Sequence, residues 1–511
     1  MKAFKIALII VAVLVLLIGG LAAWGYYAFL HTAPLEPEQI AELEVDWTTV
    51  THGNWSPWVT AEDGTRQWNP AKSFNDWLAT VPDEDKAWPL IAELDYKHEE
   101  FRKNEDLGYG PVHPAQWARA IQALDTDEAR EMNQGILEAL QRPVMGAGLY
   151  HQSDPIEVAI AKRYGHEWAL GAAPVDPNEE VELIKVLLPG LASQKWQSKI
   201  ALEYASRRLE LGESDVFVST VRIVMDAADL SVEMPTLIGD LVKLAMRNQA
   251  MESIDWAIDK HAGAFSDAQL AELDSLLADP EQFDIGWQGE SLMFEDTIRR
   301  LASENGSLKP IAMQTKANQI GSLNLGAATD LPISQLHASS QRMIHIHQQV
   351  LKRDLGDEDH PDFGTGWSYY QSQRTQLGKF EQLTLDMLIP ALGKAKQVSQ
   401  ENKRYASAVR VAIAIRRHEL RHGTLPDTLG AIDPDLIAAD SVIDPLTDEQ
   451  LTYQRLDDGF RILPSSPEDE PDVILWPKQY EQIIDDDEPE YYEWELEGLT
   501  EEQKQEMLEG P

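Results

Sequence analysis

Uncharged, overwhelmingly apolar positions run without a break from Ile6 to Leu30, IALIIVAVLVLLIGGLAAWGYYAFL. About 20 apolar residues cross a bilayer, so the pattern predicts a transmembrane helix with room to tilt. A cleaved signal has an apolar region of roughly 7–15 residues. Here the run continues through Trp24, Tyr26 and Tyr27, which suit an interfacial belt, and a retained anchor is expected. Lys2 and Lys5 precede the run, and Glu36 and Glu38 are the first charges after it. The positive-inside bias then puts the amino terminus in the cytoplasm, with residues 1–30 as cytoplasmic end and anchor. Everything from about residue 31 is expected outside, giving a single-pass protein of the inner (cytoplasmic) membrane with a periplasmic domain.

Residues 31–82 are rich in tryptophan, proline and turn formers, and their poor helical periodicity predicts an irregular segment packed on the main body. Over 83–355 the spacing turns helical. Met132, Ile136, Leu137 and Leu140 form a stripe behind an N-cap at Thr126 or Asp127. Residues 193–230 read as two antiparallel helices, with Gly212 stopping the first and Ser214 or Asp215 capping the second. Pro235 starts another helix, and Ser266 caps one whose stripe is Leu270, Leu273, Leu276 and Leu277. This is a helical-hairpin array. Its hairpin at 196–230 is similar to a tetratricopeptide unit, without that unit's repeat of roughly 34 residues.

Residues 356–394 predict a linker and the start of a long helix that begins near Tyr369, kinks at Pro390 and runs to His422. Over 395–478 that helix is followed by the strand candidates LTYQR and FRIL, joined by Leu456-Asp457-Asp458-Gly459, and then by DVILW. An Asp-Gly pair between such runs is a strong hairpin signal. The pattern predicts a small C-terminal α+β module, a long helix plus a short antiparallel sheet. Residues 479–511 are an acidic tail, in which Thr500 and Gln503 suit a capping box. The expected fold class is mainly α.

Composition narrows the partners. The 511 residues carry 86 acids against 43 bases, a formal charge of −43. Phosphate binding needs a basic footprint, so a nucleic-acid partner is ruled against, as is a domain lying on anionic lipid. The absence of cysteine excludes disulfides, thiolate catalysis and Cys-ligated zinc.

The run RYASAVRVAIAIRRHELRHGTLPDTLGAIDPDLI, followed by DPL, TYQR, DGF and a serine–acidic loop, resembles the end module of a broad group of uncharacterised planctomycete single-pass membrane proteins. The same order is similar to the globular part of the type II secretion major pseudopilins. LELGESD and PTLIGDLVKLAM are similar to the helical body of the planctomycete group. The resemblance implies architecture and envelope location and no activity. Pseudopilins begin with a glycine processing site and a following glutamate, which MKAFKIALIIVAVLVL lacks. A pseudopilin-like module at the end of an ordinary anchored protein is therefore expected.

Two motifs carry candidate chemistry. His418-Glu419-Leu420-Arg421-His422 is an H-E-x-x-H, in which two histidines one helical turn apart bind Zn²⁺ and the glutamate activates water. A catalytic zinc needs a third ligand, and no histidine follows His422, which leaves Asp427, Asp433 or Asp444 as nearby candidates. The alternative is a plain helix end: Gly423 at C′, Pro426 beyond it, and Arg421 and His422 favoured by the macrodipole. On that reading Arg410, Arg417 and Arg421 form an exposed basic face. The second motif is SSPEDEPD. In the resembling pseudopilins this region holds calcium, which would make Ser465, Asp469 and Asp472 its oxygen ligands, although Pro467 and Pro471 stiffen the loop.

His345 and His347 point to different sides of a helix, and His347 falls on an apolar stripe, which predicts a core-edge histidine. Trp47, Trp55, Trp58, Trp68, Trp77 and Trp88 could stack on glycan rings or pack their segment onto the core. No P-loop, dinucleotide fingerprint or G-x-S-x-G is present. The expected function is that of a non-catalytic scaffold with envelope protein partners, without a cofactor. A zinc peptidase using Glu419, His418 and His422 and a cell-wall glycan-binding protein are the alternatives.

Overall fold

The computed structural model describes residues 34–47, 55–61, 63–104, 107–108, 110–111, 114–150, 154–166, 181, 183, 186, 188–233, 236–302, 306, 331–356, 361–456, 459–463 and 474–476. Among them no helix is long and apolar enough to cross a membrane. The apolar run Ile6–Leu30, Pro235, the loop with Ser465, Asp469 and Asp472, and the acidic tail 479–511 lie outside the described residues.

The chain is mainly helical, with small antiparallel sheets. After α1 (Pro37–Ala41) comes a hairpin of β1 (Trp58–Thr60) and β2 (Arg66–Trp68), paired Trp58 to Trp68, and then α2 (Pro70–Leu78). The segment expected to be irregular is thus partly ordered. Its strands are too short to show a period of two, and Asn69, not a residue of the usual apolar pattern, starts α2 by accepting from the Lys72 N–H.

The body follows: α3 (Trp88–Lys97), α4 (Glu99–Arg102), α5 (Pro114–Leu124), α6 (Asp127–Leu140), α7 (Pro155–Arg163), α8 (Pro189–Glu210), α9 (Ser214–Ala227), α10 (Leu237–His261), α11 (Asp267–Leu276), α12 (Trp287–Leu301) and α13 (Ala338–Leu355). Thr126 caps α6 by accepting from the Ala129 N–H, and Ser266 with Gln269 forms a capping box on α11. Gly212 ends α8 with φ +89°, as its position predicts. The cap of α9 is Glu213, and neither Ser214 nor Asp215 fills that role. The Glu213 carboxylate pairs with Arg208 across the turn, so the chain closes the hairpin by charge and not by a capping hydroxyl. Helix α10 packs on α8, α9 and α16, and for this reason it is apolar on more than one face.

The long helix expected from Tyr369 is three: α14 (Gly366–Arg374), α15 (Lys379–Leu388) and α16 (Pro390–His422). Ile389, itself in αR, is the single residue between α15 and α16, so the break falls at Pro390, where a kink is expected, and Pro390 is the first residue of α16. Helix α16 serves two cores. Ala406, Val409 and Ile413 join the core of α6, α8, α9 and α10. Ala408, Val411, Ala412 and Ile415 face Leu429, Ile432, Leu451, Phe460 and Ile462 of the end module. Small residues on both faces let both layers approach closely. Beyond it, β3 (Ile443–Asp444) pairs with β4 (Glu449–Gln450), and β5 (Thr452–Arg455), β6 (Phe460–Leu463) and β7 (Ile474–Trp476) form an antiparallel sheet with Tyr453 opposite Ile462. The Leu456 N–H donates to the Gly459 carbonyl at 2.8 Å, closing the hairpin that the Asp-Gly pair predicts.

Candidate functional site

The H-E-x-x-H sequence forms the last turn and a half of α16. Gly423 ends the helix at φ +74°, and its N–H donates to the Glu419 carbonyl at 2.7 Å, an αL cap. His418 and His422 lie one turn apart with ring centroids separated by 4.3 Å. His418 is buried, and its pKa is lowered first by that burial and then by repulsion from His422, against attraction by Asp433. Its Nδ1 has no hydrogen-bond partner among the described residues. His422 is exposed and its Nε2 lies 3.0 Å from Oδ2 of Asp433.

The groups a zinc peptidase would need are otherwise engaged. Nη1 of Arg416 donates to the Glu419 carboxylate at 2.7 Å. Of the three acids near in sequence, only Asp433 comes to the helix end; Asp427 pairs with Arg455, and buried Asp444 accepts from Nε of Arg404 at 3.0 Å. Among the described residues no group of three or more His, Asp or Glu side chains is arranged to hold a metal ion.

Of the expected exposed basic face only Arg421 is exposed. Arg410 and Arg417 are only 7% and 8% accessible, because the acidic stripe of α11 packs over them. Nε of Arg417 donates to Asp267 at 2.8 Å and Nε of Arg410 to Asp274 at 3.0 Å. Acids and bases both repeat at seven residues, so two antiparallel helices align two rungs of one ladder. Arg421 extends it to Asp267 and Asp435, and Arg410 also reaches Asp440. This arrangement fastens the end module to the helical body. A cleft of about 910 Å³ opens beside it, lined among others by Trp287, Lys243, Lys403 and Arg410. Its cations are already matched: Lys243 to Asp240 and to the Asp284 carbonyl, Lys403 to the Asp284 carboxylate.

His345 and His347 are both buried on α13, deeper than the core edge expected. Burial pushes their pKa values down to about 4 and about 3, and His347 stacks on Phe294 at 4.1 Å. The tryptophans pack inward as well. Trp47, Trp55, Trp68 and Trp88 are buried and Trp58 and Trp77 half-buried, while Trp58 and Trp68 meet edge to face at 85°. No exposed coplanar row exists among the described residues for glycan stacking, because five of these indoles form the core under the β1–β2 hairpin and Trp88 packs in the neighbouring core with Ile91 and Met145.

Charged residues that the linear pattern left unremarked lie inside α12. Glu295, Asp296, Arg299 and Arg300 are all buried, paired 295 to 299 at 2.8 Å and 296 to 300 at 2.9 Å. Asp296 also accepts from the Trp68 indole at 3.1 Å and the Leu183 N–H at 3.0 Å. The Arg299 guanidinium lies over the rings of Trp58 and Trp68, and Arg300 donates to the Val181 carbonyl. A charge at i and i+4 ordinarily marks a solvated face, so E-D-T-I-R-R hid its burial. Desolvation offsets much of the attraction in such buried pairs, whereas removing one partner leaves an unpaired buried charge. The chain matches no protein-family model, no curated protein and no solved structure.

Proposed function

We propose that this is a single-pass envelope protein, anchored by residues 6–30, that acts through protein contacts as a scaffold or assembly factor. Its outer part joins a helical body to a pseudopilin-like module of the kind found in the planctomycete membrane proteins it resembles. The observation that carries the non-catalytic reading is the Asp267–Arg417 and Asp274–Arg410 ladder. The helix end that bears the only catalytic-looking motif singled out in the sequence is occupied in holding two parts of the molecule together. Glu419, the residue a peptidase would use as base, is neutralised by Arg416.

The orphaned Nδ1 of His418 beside His422 keeps a zinc reading open to direct test. Detergent-solubilised full-length protein, dialysed without chelator, should carry well under one zinc per chain and show no peptide hydrolysis. Cross-linking in native membranes should give discrete adducts heavier than the 57.4 kDa chain. One zinc per chain, lost in His422→Ala together with hydrolysis, would overturn the scaffold reading in favour of a metallopeptidase.

A further inference from the structure

The chain enters the folded body at a fixed point. The Pro34 carbonyl accepts a hydrogen bond from Nη2 of Arg342 at 2.9 Å, and Arg342 is buried on α13. Leu35 and Leu43, on either side of α1, are buried in the core that α12 and α13 share. The first described residues are thus held by a hydrogen bond and by two apolar side chains. In the sequence the uncharged run ends at Leu30, and only residues 31–33 separate it from Pro34.

The chain length limits the gap whatever conformation those residues adopt. Counted from Tyr27 in the expected interfacial belt, seven steps of fully extended chain to residue 34 reach at most ~25 Å, at about 3.3–3.6 Å per residue. A bilayer's polar layer is itself roughly 5–8 Å deep on each side, the difference between a hydrocarbon core of about 30 Å and a total of about 40–45 Å. We infer that the outer body is seated on the headgroup layer through the exposed face that carries α1, which buried Arg342 of α13 fixes to the body, and is not carried on a long stalk. This rests on residues 6–30 being a membrane anchor. The lipid it fits is zwitterionic. Glu36, Glu38, Glu42, Glu44 and Asp46 are exposed at or beside α1, and anionic headgroups would repel them within a Debye length of about 8 Å.

The absence of cysteine makes the test simple, since one substitution gives one label. Full-length Glu38→Cys and Gln134→Cys are labelled with a small thiol-reactive fluorophore and reconstituted in phosphatidylcholine vesicles. Gln134 is exposed on α6, whose buried face packs into the core that does not contain Leu35. Headgroup-spin-labelled lipid should quench the label at 38 several-fold more than the label at 134. Replacing part of the lipid with phosphatidylserine at low salt should reduce quenching at 38, and added salt should restore it. Glu42→Cys gives a second position if Glu38→Cys lowers the melting temperature. Equal, weak quenching at both sites in protein that resists carbonate extraction would overturn the seating and leave the anchor intact. Protein released by carbonate would overturn the anchor and the seating with it.

Discussion

Glu203 sits in the middle of α8 and turns its carboxylate onto a glycine turn far back in the chain. Oε1 accepts the N–H groups of Gly108 at 2.9 Å and Gly110 at 2.6 Å, residues that adopt φ values of +94° and +74°. Burial pushes its pKa up from 4.5 to about 7, although the two N–H groups favour the ionised form. The folded pKa is raised, so the contribution to stability is complete below about pH 4.5 and is lost as pH rises through about 7. Glu203→Gln keeps an oxygen for both N–H groups and removes the buried charge. It should match the wild type at pH 4.5 and exceed it at pH 8.5 by up to ~3 kcal/mol, as each pKa unit is about 1.36 kcal/mol. Urea midpoints at the two pH values check this; an unchanged difference would show that Glu203 is not titrating in that range. Nothing in KIALEYASRR marks Glu203, because its partners are distant in sequence. Gly212 and Gly423 were legible because each carries its own local geometry.

At the scale of elements, the end of α16 was legible and its surroundings were not. His-Gly followed by Pro426 specifies a helix stop from local chemistry alone. Whether Arg410 and Arg417 face water depends on the partner, and α11 supplies Asp274 and Asp267 at the matching spacing. Arg410→Ala and Asp274→Ala should each destabilise, and a double-mutant cycle should give a coupling of about 1–2 kcal/mol, within the range for residues in contact. Coupling near zero would mean that the rung is screened surface decoration. Arg417→Ala should in addition speed amide exchange across Thr452–Leu463 more than across α8, because it loosens the end module specifically. The β1–β2 hairpin escaped detection for another reason: three-residue strands are too short to display alternation, and Trp68, paired with Trp58, is also held by the buried α12 network, whose residues are far away in the chain.

For the whole molecule, α16 is the common wall of the helical body and the end module, and this sets its unfolding behaviour. Two modules joined by a linker would melt separately. Two cores that share Ala406 to Ile415 on opposite faces of one helix cannot lose one without exposing the other. Denaturation followed by tryptophan fluorescence, which reports mainly the body, and by amide exchange in β5 and β6 should therefore give coincident midpoints. Separate transitions would show that α16 divides the two cores instead of coupling them.

The sequence by itself determined the helical class, the caps at Thr126 and Ser266, the stops at Gly212 and Gly423, the Asp-Gly hairpin and the strongly acidic composition, since each depends on composition or on neighbours within about one turn or one hairpin. It also contains the long apolar run on which the anchor proposal rests. Only the tertiary structure decided that Arg410 and Arg417 are buried partners of Asp274 and Asp267, that Glu419 is paired with Arg416, that the tryptophans form core, and that Arg342 holds Pro34. The physical reason is that charge and aromaticity do not specify their own surroundings. The same arginine is a solvated face or a buried rung according to which helix packs against it, and that choice is made by contacts between residues far apart in the chain.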